Sequence, residues 1–152
     1  FRYGSSQTQV ELETSDVVQG SGAARISQRS NTWDGLAPEI TDRFEYDVTY
    51  SFKSHVKIFS NEATHQLKVT YEITYDKPSS KYDYLTVFWS SNLPAHTWMA
   101  IDTTYTLMST DLQDYPVVGL TLFFETVDHT FNFLVDEVSM EPEKYTAENL
   151  FV

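Results

Sequence analysis

Between residues 65 and 76 the chain alternates without a break: Leu67, Val69, Tyr71, Ile73 and Tyr75 fall in one register, and Gln66, Lys68, Thr70, Glu72 and Thr74 in the other. A period of two sends successive side chains to opposite faces of a pleated strand, so this segment offers one face to a core and one to water. Residues 46–58 repeat the pattern, with Val48, Tyr50, Phe52, Val56 and Ile58 set against Thr49, Ser51, Lys53, His55 and Lys57. Strand-like runs also cover 9–13, 24–29, 82–89, 98–107, 119–127 and 131–140. Turn chemistry separates them at Gln19-Gly20-Ser21-Gly22, Asp34-Gly35, Asp76-Lys77-Pro78-Ser79-Ser80, Ser90-Ser91-Asn92-Leu93-Pro94 and Asp114-Tyr115-Pro116.

No stretch carries the i, i+3, i+4, i+7 apolar spacing of a long amphipathic helix, which argues against folds with crossover helices. Residues 144–149 have room for one short helical turn. At 152 residues the chain is the size of one domain. The expected fold class is all-β: a two-sheet antiparallel β-sandwich of jelly-roll topology, with residues 1–142 as the module and 143–152 as a C-terminal extension or linker.

Charge and composition narrow the function. Ten basic against 22 acidic residues give a net charge of −12, and a surface that negative repels phosphate backbones and anionic headgroups, so neither nucleic acid nor membrane is an expected partner. No cysteine is present, which removes disulfides, thiolate metal sites and cysteine nucleophiles. No apolar run reaches the roughly 18 residues of a spanning helix. The chain opens at Phe1-Arg2-Tyr3-Gly4, with neither an initiator Met nor a signal-peptide core, and reads as a domain excised from a longer protein.

Signals for catalysis are weak. His55, His65, His96 and His129 show no HxH or HExxH spacing, and no phosphate-binding or dinucleotide-binding glycine loop occurs. With 22 acids some carboxylate pair falls at a glycosidase-like separation by chance. Acidic clusters also suit Ca²⁺, and Asp136-Glu137 on the last strand is placed to join Glu11 or Glu13 of an early one, although ordinary solvated acids explain them equally well.

The aromatics say more. In 119–127, Leu120, Leu122 and Phe124 share one face and leave Thr121, Phe123 and Glu125 on the other. In 82–89, Leu85, Val87 and Trp89 take one face, and Tyr82, Tyr84, Thr86 and Phe88 the opposite one. Aromatics beside hydrogen-bonding side chains suit a sugar, whose C–H face is apolar and whose rim is hydroxylated; burial under loops is the competing explanation. Trp89 and Trp98 lie inside strand patterns and read as core. Trp33 stands in the polar segment Ser30-Asn31-Thr32-Trp33-Asp34-Gly35, where strand packing has no use for an indole. It is either a ligand platform or a lid folded back on the core.

The string Gly22-Ala23-Ala24-Arg25-Ile26-Ser27-Gln28-Arg29-Ser30-Asn31-Thr32-Trp33-Asp34-Gly35 resembles the G-x-x-S/A-L-x-V-x-x-R-x-x-x-W-x-G signature of carbohydrate-binding module family 22, a family related to families 4 and 9. Tyr50-Ser51-Phe52, Trp98 with Thr104-Tyr105-Thr106, Leu122-Phe123-Phe124-Glu125 and Phe133-Leu134-Val135-Asp136-Glu137-Val138 are similar, in order, to further motifs of that family. The resemblance implies a galactose-binding-domain-like β-jelly roll appended to a xylanase, binding xylan in a shallow cleft. It implies Trp33, Tyr84 and Glu125 as sugar-binding residues, with Phe123 where the family has a second tyrosine and Tyr82 beside them. It also matches Arg2 and Tyr3 to an N-terminal turn whose arginine contacts sugar, and places the family's first strand ahead of Phe1. A structural Ca²⁺ held between the beginning of the domain and Asp136 follows from the same source, with Glu11 as the partner that the acidic clusters offer.

The expected function is therefore a secreted, monomeric, non-catalytic module that binds β-1,4-xylan, or secondarily mixed-linkage β-glucan, and keeps an attached glycoside hydrolase near its polymer. The alternative is a structural or adhesion β-sandwich whose aromatic patch contacts protein.

Overall fold

The computed structural model describes residues 7–62, 64–126 and 128–143. All eight runs form strands: β1 (Gln9–Glu13), β2 (Ala23–Ser27), β3 (Thr49–Phe59), β4 (Thr64–Tyr75), β5 (Tyr82–Pro94), β6 (Met99–Thr106), β7 (Val117–Thr126) and β8 (Asn132–Pro142). They pair antiparallel in two sheets, one in the order β1-β2-β8-β3-β6 and the other β5-β4-β7. The fold is a two-sheet antiparallel β-sandwich. Residues 144–149 and the N-terminal turn of Arg2 and Tyr3 lie outside the described residues.

The alternation of β4 becomes the centre of the core: Leu67, Val69, Tyr71, Ile73 and Tyr75 are fully buried between the sheets. Rings from the two sheets meet there, Phe52 of β3 with Phe124 of β7 at 5.9 Å and Tyr71 of β4 with Tyr105 of β6 at 5.3 Å between centroids. Such contacts join the layers through apolar burial and edge-on ring packing.

Three readings of β5 and its surroundings are corrected. Ser90-Ser91-Asn92-Leu93-Pro94 is not a turn, because β5 continues to Pro94. It is an edge strand, where serine, asparagine and a terminal proline cost the ladder little. Trp89 is not core: it is 58% exposed. Thr70 pairs with Thr86 and Val69 with Phe88, so Val87 is an extra residue; this bulge flips the alternation and turns Trp89 to the outer face with Tyr84. Trp98, half-buried just before β6, donates its indole N–H to Asp16 at 2.9 Å and clamps a loop instead of filling the core.

Candidate functional site

The outer face of the β5-β4-β7 sheet is organised in rows that the register fixes. Trp89, Lys68 and Glu125 form one row; Thr86, Thr70 and Phe123 the next; Tyr84, Glu72 and Thr121 the third; Tyr82, Thr74 and Gly119 the fourth. Paired residues on antiparallel strands share a face, so each row is a set of neighbours drawn from three distant parts of the sequence.

Beyond β7 the chain adds a further wall. Leu36 and Glu39 bridge Phe124 and Thr121. Phe124 N–H donates to Leu36 O at 2.9 Å, Leu122 N–H to Pro38 O at 3.0 Å, and Ile40 N–H to Leu120 O at 2.9 Å. Residues 36–40 thus line the edge of β7 and carry the loop that precedes them over the sheet. Gly35 starts this approach, and a Cβ built there would stand 1.9 Å from the backbone oxygen of Phe124. Only glycine lets the two backbones come so close.

A buried cation fixes the loop. Arg29 donates from Nη2 to Thr32 O at 2.7 Å and Thr126 O at 3.1 Å. Nη1 reaches Asp128 O at 2.7 Å, Phe131 O at 3.2 Å and Thr126 Oγ1, and Nε reaches Asp34 O. Its guanidinium also lies over the Phe133 ring at 5.3 Å. Burial pushes this guanidinium down to about 10, which leaves it charged at neutral pH. The Asp34 carboxylate, fully buried, accepts N–H donors from Ser30 at 2.8 Å and Asn31 at 3.0 Å. Loop and strand end are thereby tied together, and Trp33 is carried between two anchored neighbours, Thr32 and Asp34. Its indole is 54% exposed, so it is not a lid.

Trp33, Tyr84, Phe123, Thr70, Lys68 and Glu125 line a cleft of about 500 Å³. Tyr84 is 57% exposed, whereas Phe123 is only 3% exposed and forms part of the floor. Thr70, also 3% exposed, has a buried hydroxyl without a partner among the described residues. Lys68 Nζ stands 3.8 Å from Glu125 Oε1. Burial raises the Glu125 carboxyl above the usual carboxylate range, opposed by the nearby charges of Lys68 and Arg29. The cleft therefore combines apolar rings with a charged donor and a charged acceptor, a composition suited to a neutral, hydroxyl-rich ring compound.

Four of the residues singled out in the sequence, Trp33, Tyr84, Phe123 and Glu125, are brought together here. Tyr82 shares the face and is exposed, but sits in the row beyond Tyr84. Lys68 and Thr70 were readable only as members of a solvent face; the signal that picks them out is their register with Glu125 and Phe123. Trp89 was hidden by the bulge.

The structure does not bring Asp136 and Glu11 together. Glu11 is exposed on β1, opposite Arg25, and β2 lies between it and β8. Asp136 Oδ2 accepts the N–H groups of Val18 at 2.7 Å and Gln19 at 3.4 Å, and Oδ1 that of Glu137 at 2.8 Å. No three His, Cys, Asp or Glu among the described residues group as metal ligands, and with β2 between them Asp136 and Glu11 do not share a Ca²⁺ site.

A model of the carbohydrate binding domain family CBM_4_9 matches residues 1–120. Among curated proteins, endo-1,4-beta-xylanase A of Thermotoga maritima is 28% identical over 89% of this chain, and exoglucanase XynX of Acetivibrio thermocellus 22% identical over 86%. The chain spans only 13% and 12% of those two proteins. Among solved structures, the CBM22-1 xylan-binding domain of Paenibacillus barcinonensis Xyn10C superposes with a TM-score of 0.76 at 18% identity, covering 95% of this chain and 87% of that one. The CBM22-1-GH10 modules of Clostridium thermocellum Xyn10B, solved with xylohexaose, give 0.77 at 19% identity, covering 96% and 26%.

Proposed function

Since the chain belongs to the CBM_4_9 carbohydrate binding domain family and is a non-catalytic binding module, we propose that its ligand is a β-1,4-xylan chain, or secondarily a mixed-linkage β-glucan, lying in the Trp33–Tyr84 cleft. The observation that carries this reading is the placement of an exposed indole and phenol around Glu125 and Lys68. A sugar face set against Trp33 buries ~50 Å², contributing about 1 kcal/mol at ~25 cal/mol/Å². A hydroxyl donating to the Glu125 carboxylate adds about 1.5–3 kcal/mol. A few such contacts, less ordering costs, give a Kd of about 10⁻⁴–10⁻⁵ M. Weak binding of this order suits a tether that must release and rebind as polymer is consumed.

The named curated relatives are a xylanase and an exoglucanase many times longer than this chain, which supports a role beside a glycoside hydrolase acting outside the cell. We take the module to work as a monomer, because one cleft on one sandwich holds every residue the reading uses.

Calorimetric titration with xylohexaose, cellohexaose and a mixed-linkage glucan oligosaccharide tests it. Binding to at least one glycan in the micromolar to millimolar range is expected. Trp33→Ala should abolish it while leaving Tm within about 3 °C, because the indole is mostly exposed. No heat from a well-folded domain across the panel would refute the proposal and favour a protein-contact role.

A further inference from the structure

We infer that the cleft continues past Lys68 and Glu125 onto Trp89, so that the module has a second stacking platform and reads ligand length. Trp89, Thr32, Lys68, Glu125 and Thr126 line a second hollow of about 230 Å³, and two of these residues, Lys68 and Glu125, are also walls of the first. The hollows are neighbours divided by one ion pair.

Their spacing follows from the register. Tyr84 lies opposite Glu72 and Trp89 opposite Lys68, four residues apart along β4, or about 13 Å at ~3.3 Å per residue. That length spans more than one pyranose ring and leaves the Lys68–Glu125 pair to meet hydroxyls in between.

Trp89 also needs an explanation that packing does not supply. It is more than half exposed, is followed by Ser90, Ser91 and Asn92, and sits on an edge strand where a polar side chain would protect against edge pairing at least as well. The bulge at Val87 turns it toward the cleft face, and bulges commonly re-aim a side chain next to a site. An indole facing out beside a carboxylate and an ammonium repeats the composition of the first hollow.

This inference rests on the carbohydrate-binding reading, and the test separates the two. Wild type, Trp89→Ala, Trp89→Phe and Trp33→Ala are titrated with xylotriose and xylohexaose, and with the glucan oligosaccharide series if that is the preferred ligand, with Tm recorded for each. Trp89→Ala should weaken the six-sugar ligand by about five- to tenfold, the loss of one stacked sugar face, leave the three-sugar ligand unchanged, and fold normally. Trp89→Phe should recover most of the loss. Wild-type affinity of Trp89→Ala for the six-sugar ligand overturns the extension and leaves the first hollow standing, as does an equal loss for both lengths. Failure of the wild type to bind any oligosaccharide overturns the carbohydrate reading, and the extension with it.

Discussion

Replacing Arg29 with methionine asks whether Trp33 is held in place by a buried cation. The methionine chain refills much of the stem volume, but the six hydrogen bonds from the guanidinium disappear. The carbonyls of Thr32, Asp34, Thr126, Asp128 and Phe131 lose their donor in a place largely closed to water. Charged hydrogen bonds are worth about 1.5–3 kcal/mol each, yet they do not add, because the desolvation of Arg29 itself is relieved when it is removed. The applicable magnitude is that of dismantling one side of a buried charged network, about 3–5 kcal/mol. At roughly 2–4 °C per kcal/mol for a domain of this size, Tm should fall by roughly 6–20 °C. Arg29→Lys keeps the charge but not the planar fork and should lie between. Thermal melts by circular dichroism and urea midpoints give the stability; glycan titration at a temperature where each variant is folded gives the function. A fall in Tm under 2 °C would refute the claim that this cation anchors the loop. A large fall with wild-type affinity retained in the folded variant would show that Trp33 is positioned by something else.

Three further outcomes follow from particular geometries. Gly35→Ala puts a methyl group against the Phe124 carbonyl; it should cost at least 1–3 kcal/mol in a urea melt and weaken glycan binding, whereas an unchanged midpoint would contradict the close approach of loop and β7. Glu125→Gln should lower glycan affinity about tenfold or more without lowering Tm at pH 7. Burial raises the folded carboxyl above its unfolded value, so its ionised form disfavours the fold at neutral pH, a penalty relieved as pH falls through the raised value. Wild-type affinity should accordingly weaken as pH is lowered through that same window, before acid unfolding, and affinity flat down to pH 4 would exclude the carboxylate as acceptor. Because β2 separates Asp136 from Glu11, Glu11→Gln should leave any calcium- or EDTA-dependent change in Tm unaltered; loss of such a change in that variant would contradict the separation.

The sequence disclosed strands more readily than neighbours. Alternation in β4 and in β7 from Gly119 onward marks which side chains face inward, because the β4–β7 register holds unbroken from Leu67 to Thr74, and Trp33 stands out because its loop is otherwise polar. The failure at Trp89 has one cause: a single inserted residue at Val87 reverses the parity of Phe88, Trp89 and Ser90, and nothing in the residue types around Val87 and Phe88 announces a bulge. The serines, asparagine and proline that follow imitate a turn, and an edge strand tolerates them. Lys68 and Thr70 illustrate a different limit. Their place opposite Glu125 and Phe123 is a property of register between segments more than fifty residues apart, which periodicity within one strand does not contain. Arg29 was visible only as a letter in a motif, since a charged residue at the end of a strand-like run gives no local sign that its guanidinium closes over five backbone carbonyls.

The most direct measurement exploits the count of three tryptophans. In a ¹⁵N-labelled sample each gives one indole N–H signal, assigned by Trp→Phe substitution, and a xylohexaose titration follows all three at once. The cleft reading predicts that the Trp33 signal shifts and saturates with the ligand, while that of Trp98, engaged with Asp16 on the other sheet's loop, stays in place. A Trp33 signal that remains still while the ligand demonstrably binds, or a shift confined to Trp98, would contradict it.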